Sequence, residues 1–302
     1  MIAVVHHPAY VVPQAADAKY KWNKNGLVRD LLVRSGFPFE WVEPEAMPRA
    51  WLEAVHSAEY VAEVIAAAVP REKERRIGFP VTELVARRAE VVPGGTYAAA
   101  LLALERGFAA QNAGGSHHAL WDSGAGYCVF NDLAMAAVRL LEEGKARRVL
   151  VVDCDVHQGD GTAALTAGRG GIATYSIHAE KNFPVRKAVS TVDVGLPDGT
   201  GDAEYLEALE GSLVPLLERF GPDLILYQAG VDPFGGDKLG RLALSQDGLD
   251  ARDRFVAGLA KARGVPLAST LGGGYGADPG EVAGRHARTI LNLAGIFHPP
   301  AR

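Results

Sequence analysis

The chain has 302 residues, 48% of them hydrophobic, and a formal net charge of −5. That length and apolar content support a large core, and the lack of a basic excess argues against nucleic-acid binding; electrostatics at most mildly favours a cationic substrate. No apolar run reaches the ~18 residues of a membrane span, MIAVVHHPAY lacks the basic segment of a signal peptide, and Cys128 and Cys154 sit in no zinc-like spacing, which predicts a cytoplasmic protein with free thiols.

The run IAVV (2–5) is β-branched and predicts a strand. Residues 25–36 carry Leu27, Leu31 and Leu32 at helical spacing, with Gly36 as a stop, and 57–68 open on a capping serine, Ser57. The charged stretch PREKERRIGFP (70–80) reads as a solvated loop. Residues 81–92 and 96–107 read as two helices broken at Pro93-Gly94-Gly95.

From there strands and helices alternate. Strands are expected at 108–112, 147–155, 171–177, 223–230 and 265–276, the last running into glycines. Helices are expected at 131–144, 201–220, 248–264 and 279–295, with Pro279 near the start of the last. Near-continuous apolar strands between helices argue for a parallel sheet covered on both faces. No repeat or composition break divides the chain, so one domain is expected over 1–302.

In such sheets the ligand site lies beyond the carboxyl ends of the strands. There FAAQN delivers Gly114, Gly115, Ser116, His117 and His118. RRVLVV delivers Asp153, Asp155, His157 and Asp160. GIATY delivers Ser176 and His178, DLILYQAG delivers Asp232, and VPLAST delivers Gly272 to Gly274, Tyr275 and Gly276. Five strand ends thus converge on one rim. Asp153, Asp155 and His157 are spaced by two, which on an extended backbone puts them on one side. Carboxylates pointing together into a crevice repel unless a cation sits between them. Asp155 and His157, with Asp232 from the neighbouring loop, make three metal ligands and leave a fourth position open, as in catalytic zinc sites; the hard donor set leaves iron(II), cobalt(II) and manganese(II) open too.

The motifs HHPAY (6–10), VHSAEYV (55–61), AGGSHHAL (113–120), GYCVFNDLA (126–134), DCDVHQGDG (153–161), YSIH (175–178), AGVDPFGGDKLGRL (229–242) and LGGGYG (271–276) resemble, in order and spacing, the zinc-dependent histone deacetylase superfamily, which includes acetylpolyamine amidohydrolases and acetoin-utilisation proteins. The resemblance covers nearly the whole chain. It implies an arginase/deacetylase α/β fold, with a mainly parallel sheet of about eight strands, and one deacetylase-like catalytic domain. It implies Asp155, His157 and Asp232 as metal ligands, and His117 and His118 as the active-site histidine pair, oriented by Asp153 and Asp160. Tyr275 would polarise the substrate carbonyl. Asp153, Asp155, Ser176 and the carbonyls of His157 and Ile177 would hold a structural potassium ion. Gly126, Tyr127 and Phe183 would wall the acyl tunnel, Leu239 its outer rim, and the glycines around Gly273 its floor.

One departure is Gln158, where many members carry a second histidine after the ligand; with GDKLGRLALS (236–245) it resembles the class IV branch. The activity implied is metal-dependent hydrolysis of an Nε-acyl-lysine in a protein or peptide. A small acyl-amine such as an acetylpolyamine is the alternative substrate, and a non-catalytic acyl-lysine binder the alternative role. Acyl length, oligomeric state and which of His117 and His118 is the main general base are left open.

Overall fold

The computed structural model describes residues 1–13 and 23–299. Among them eight strands form one sheet: β1 (Ile2–Val5), β2 (Phe39–Val42), β3 (Phe108–Gln111), β4 (Val149–Asp153), β5 (Ile172–Ala179), β6 (Val192–Leu196), β7 (Leu224–Gln228) and β8 (Leu267–Thr270). The order is β2-β1-β3-β8-β7-β4-β5-β6 and every pairing is parallel. The five strands whose ends carry the candidate residues, β3, β8, β7, β4 and β5, are therefore consecutive neighbours at the centre of the sheet. The edge strands β2 and β6 went unread because they are only half covered. In β6, for example, Val192 and Val194 are partly buried between exposed Asp193 and Gly195, and no continuous apolar run results.

Side-chain alternation splits the core into two layers. Ile2, Val4, Phe108, Leu150, Val152, Ile225 and Leu267 face one side, packed on α1 (Lys24–Arg34), α8 (Asp202–Phe220), α9 (Gln246–Ala262) and α10 (Pro279–Phe297). Ala3, Val5, Ala109, Val149, Val151 and Leu226 face the other, against α3 (Ala58–Ile65), α5 (Glu83–Arg106) and α6 (Asp132–Glu142). Two short helices, α2 (Arg49–Glu53) and α7 (Asp160–Thr166), complete the connections on that side along with α4 (Arg71–Ile77).

Two expectations are corrected. The stretch 70–80 is not a loop: α4 follows Pro70, with Glu72 and Glu74 in its first turn, Arg75 and Arg76 in its last, and Gly78 closing it at φ +102°. Its charge order complements the helix dipole, and that outweighs its lack of an apolar stripe. Nor do Pro93-Gly94-Gly95 break a helix, since α5 runs through them. The glycines serve close packing: a Cβ on Gly94 would lie 2.0 Å from the Glu45 carbonyl, and one on Gly95 would lie 2.0 Å from Tyr10 Oη and 2.4 Å from Gln111 Oε1. Tyr10 and Gln111 are themselves hydrogen-bonded and buried, so they have little room to move.

Gly95→Ala is accordingly expected to destabilise the fold by about 1–3 kcal/mol through overpacking, read as a lower urea midpoint. A gain in stability, as expected for an exposed helical glycine, would contradict this packing account.

Candidate active site

The site begins where β4 ends. Past Asp153 the backbone is no longer extended, so the common direction of Asp153, Asp155 and His157 does not come from strand alternation. It comes from side chains folding onto the backbone two residues on: Asp153 Oδ1 accepts from Asp155 N–H (3.1 Å), and Asp155 Oδ1 from His157 N–H (3.1 Å). Asp232, beyond β7, accepts from Val156 N–H through Oδ1 (2.9 Å). Its Oδ2 lies 3.2 Å from His157 Nδ1, buried and without a well-aligned hydrogen bond. Asp155, His157 and Asp232 are all buried, with one donor atom each lying within 4.8 Å of the others.

The residues present fit a divalent cation. Two carboxylates are buried together, one oxygen of Asp232 is unsatisfied, and a Cβ on Gly273 would lie 2.1 Å from Asp232 Oδ2 and 2.7 Å from Asp155 Oδ2, so only glycine leaves the carboxylates their place. The negative field shows in the titration. Burial opposes protonation of His157, but Asp155 and Asp232 outweigh it and push the ring up to about 10. Burial and the Asp155 charge raise Asp232 to about 7. Asp155 is held well below the usual carboxylate range: burial opposes this, and His117 and His157 override it.

The histidine pair sits beside this cluster. His117 Nδ1 donates to Asp153 Oδ2 (2.7 Å) and His118 Nδ1 to Asp160 Oδ1 (2.6 Å), with the ring centroids 4.0 Å apart. Both rings are buried, yet their surroundings drive them apart. Burial would lower His117, but Asp153 and Asp155 raise it to about 9. Burial and the neighbouring His117 charge lower His118 to about 4, against the pull of Asp160. The glycines around Asp160 are steric requirements rather than a plain turn. A Cβ on Gly159 would lie 2.3 Å from Asp153 Oδ2, and one on Gly161 2.3 Å from the Ala119 carbonyl.

The remaining sequence-derived residues surround this centre. Gly126 lies against His118, where a Cβ would come within 2.5 Å of the imidazole, and the Phe183 ring meets His118 edge-on at 4.8 Å. Tyr127, at φ +66°, stacks on Phe79 (6.4 Å) and approaches Tyr275 (5.7 Å). Tyr275 stands edge-on to His157 at 6.3 Å, so its half-buried ring borders the cluster. Phe183 and Leu239 are 44% and 43% exposed. Of the expected potassium ligands, Ser176 pairs with Asp153 in the β4–β5 register, next to buried Ile177; Ser176 Oγ also contacts His178 Nδ1 at 3.0 Å. Gln158 is directed away from the cluster. It donates to Asp193 Oδ1 and the Ala188 carbonyl and accepts from Ala188 N–H, fastening the segment that carries Phe183.

Several supporting residues escaped the sequence reading. Buried Asp132 accepts from Gly115 N–H, Ser116 N–H and Thr96 Oγ1 and so fixes the histidine loop. Gln228 donates to Asp155 Oδ2 (2.7 Å), which Gly273 N–H also reaches (2.8 Å). Asp237 accepts from Tyr275 N–H, Leu239 N–H and Gly240 N–H. His56 donates to the Leu120 carbonyl and accepts, through Nε2, from Asn131 N–H, the residue that caps α6. Their partners are mostly backbone groups of distant segments, which leave no spacing signal.

A family model described as "Histone deacetylase domain" matches residues 18–290. An uncharacterized protein of Picosynechococcus sp. is 42% identical over 286 residues, covering 94% of this chain and 95% of the relative. "Histone deacetylase 2" of Arabidopsis thaliana is 33% identical over 267 residues, covering 84% and 68%. The chain belongs to the histone deacetylase family. Among solved structures, the HDA15 HD domain and an acetylpolyamine aminohydrolase from Burkholderia pseudomallei each superpose with a TM-score of 0.80 at 22% identity; they cover 97% and 98% of this chain and 88% and 99% of their own, and they establish the fold. No helix among the described residues is long and apolar enough to cross a membrane.

The histidines also generate a pH prediction. Burial lowers His56, His118 and His178 from 6.5 to about 4. Between those values the unfolded chain binds protons at these three positions that the folded chain does not, so the stability these rings contribute is full above 6.5 and is lost as pH falls toward 4. His56 alone contributes on the order of 3 kcal/mol to that loss. Between pH 7 and 4.5 the urea midpoint of the unaltered chain should fall relative to that of His56→Asn; parallel profiles for the two would refute the assignment.

Proposed function

We propose that this protein is a metal-dependent amide hydrolase that removes the acyl group from Nε-acyl-lysine. The observation that carries the reading is the union, in one buried centre, of the Asp155–His157–Asp232 cluster with two histidines each backed by its own aspartate. Family membership supports the same reaction class. Zinc is the cation we favour, with iron(II), cobalt(II) and manganese(II) accommodated by the same ligands. When bound, the cation supplies Lewis acidity toward a carbonyl oxygen and lowers the pKa of a water molecule.

The chain's own groups do the rest. His118, neutral and donating its Nδ1–H to Asp160 in a hydrogen bond, keeps Nε2 as the acceptor for a proton from water, and that nitrogen then returns the proton to the leaving amine. His117, cationic beside Asp153, contributes field rather than proton transfer. Tyr275 Oη donates a hydrogen bond to the carbonyl oxygen as it gains charge, a contribution of about 3 kcal/mol. Gly126, Tyr127 and Phe183 wall the acyl-lysine, Leu239 meets it at the rim, and Gly273 floors the tunnel beside the carboxylates. Asp153, Asp155, His157, Ser176 and Ile177 hold a potassium ion that stiffens the β4 and β5 ends. Gln158 and the GDKLGRLALS stretch support a place near the class IV branch.

The test is the appearance of the free lysine ε-amine in acetyl-, lactyl-, butyryl- and myristoyl-lysine peptides treated with zinc-loaded or chelator-stripped protein. Metal-dependent turnover of one acyl class is expected, and no turnover of any with metal bound would overturn the reading. Tyr275→Phe should lower kcat by about 100-fold or more with metal content unchanged. Asp232→Ala should lose the metal by elemental analysis; a full complement there would break the ligand assignment.

A further inference from the structure

We infer that the mouth of this site selects acyl-lysines set among acidic residues, a substrate class opposite in charge to a polyamine; the inference rests on the amide hydrolase reading above. Three segments frame the mouth. The first is α4 with the turn after it. The Arg76 and Ile77 carbonyls accept from Gly126 N–H (3.1 Å) and Tyr127 N–H (2.7 Å), and Gly78 abuts the Tyr127 ring. A groove of about 710 Å³ beside this contact is lined by Arg71, Glu74, Arg75, Gly78, Phe79 and Pro80. The second segment runs from Glu180 to Lys187 around Phe183, and the third from Asp237 to Arg241 around Leu239.

On these segments Arg71, Arg75, Arg76, Lys181, Arg186 and Lys238 are exposed, and none of their side chains makes a hydrogen bond or ion pair among the described residues. The acids nearby are largely committed. Glu74 accepts from Val81 N–H (2.8 Å), and Asp237 accepts from three backbone N–H groups. In charge, Glu72, Glu74, Glu180 and Asp237 stand on these segments against those six cations, and the local balance is positive. The chain as a whole carries −5, so this rim is not a by-product of a basic composition. The sign that matters for substrate choice is the local one, and it reverses the expectation drawn from net charge.

Exposed charges act weakly one by one, but several of one sign around a low-dielectric mouth steer an oppositely charged ligand and repel a like one. A polyamine brings several ammonium groups to this rim, whereas a peptide with Asp and Glu beside the acyl-lysine brings the complement.

The experiment uses the zinc-loaded full chain and labelled acetyl-lysine peptides of equal length, flanked by Asp/Glu, by Lys/Arg or by neutral residues. Binding is read by fluorescence anisotropy and turnover by amine release. The acidic peptide is expected to bind about tenfold more tightly than the basic one at low salt. That advantage should shrink at about 0.5 M salt. It should also disappear in the triple variant Arg75→Glu, Lys181→Glu, Arg186→Glu, which keeps its turnover of the neutral peptide. Equal binding of the acidic and basic peptides, or an advantage that survives the charge reversal, overturns the inference. So does a single-stranded oligonucleotide that displaces the acidic peptide at lower concentration than the unlabelled peptide does, since the rim would then be a general polyanion face. Turnover of all peptides without preference would defeat this inference and leave the hydrolase reading standing. Charge-selective binding without turnover would do the reverse.

Discussion

Asp153, Asp155 and Asp232 are buried within one crevice at the carboxyl ends of β4 and β7, and the surrounding architecture serves to make that tolerable. Isolated carboxylates in a low-dielectric interior would cost several kcal/mol each. Here they are met by backbone N–H groups from Asp155, Val156, His157 and Gly273, by the Gln228 amide, and by the His117 and His157 rings. The fully buried Arg252 donates to the carbonyls of Cys154 and Gly230, the first residues past β4 and two past β7, and is neutralised by Asp253. That arrangement clamps the two strand ends from below. What the protein groups leave uncompensated, chiefly Asp232 Oδ2, marks where a cation belongs.

The opposed behaviour of the two adjacent histidines follows from the same field. His117 faces Asp153 and Asp155 together and is driven cationic. That charge, with burial, holds its neighbour neutral although Asp160 is within hydrogen-bonding distance. One loop thereby presents a fixed positive charge and a proton acceptor about 4 Å apart. The dependence runs one way: Asp153 and Asp155 set the state of His117, and the His117 charge helps set that of His118.

The central strands were readable because each is buried on both faces and appears as an unbroken apolar run, and the DCDVHQGDG and GGSHH stretches were readable because their candidate site residues are close in sequence. Residues that act through long-range backbone contacts were not. Asp132 reaches back to Gly115 and Ser116, and His56 reaches forward to Asn131. The helix α4 was misread because polarity without periodicity looks like a loop, whereas its role is to offer two carbonyls to the Gly126–Tyr127 turn. Pro93-Gly94-Gly95 was misread because glycine signals both flexibility and close approach, and only the packing against Glu45, Tyr10 and Gln111 distinguishes them.

The strand order also sets a schedule. β3 and β4, whose ends carry the histidine pair and Asp155 with His157, are not neighbours; β7 and β8 lie between them, and among the described residues β8 follows the other seven strands in sequence. A ribosome that has delivered every residue up to α9 has therefore delivered a sheet with its middle missing, with the two halves of the centre unjoined. Insertion of the final strand closes the gap and brings Gly273 and Tyr275 into place in the same event. The loop that carries the histidine pair and the cluster of Asp155, His157 and Asp232 thus share one rim only once residues 267–270 have joined β3 to β7.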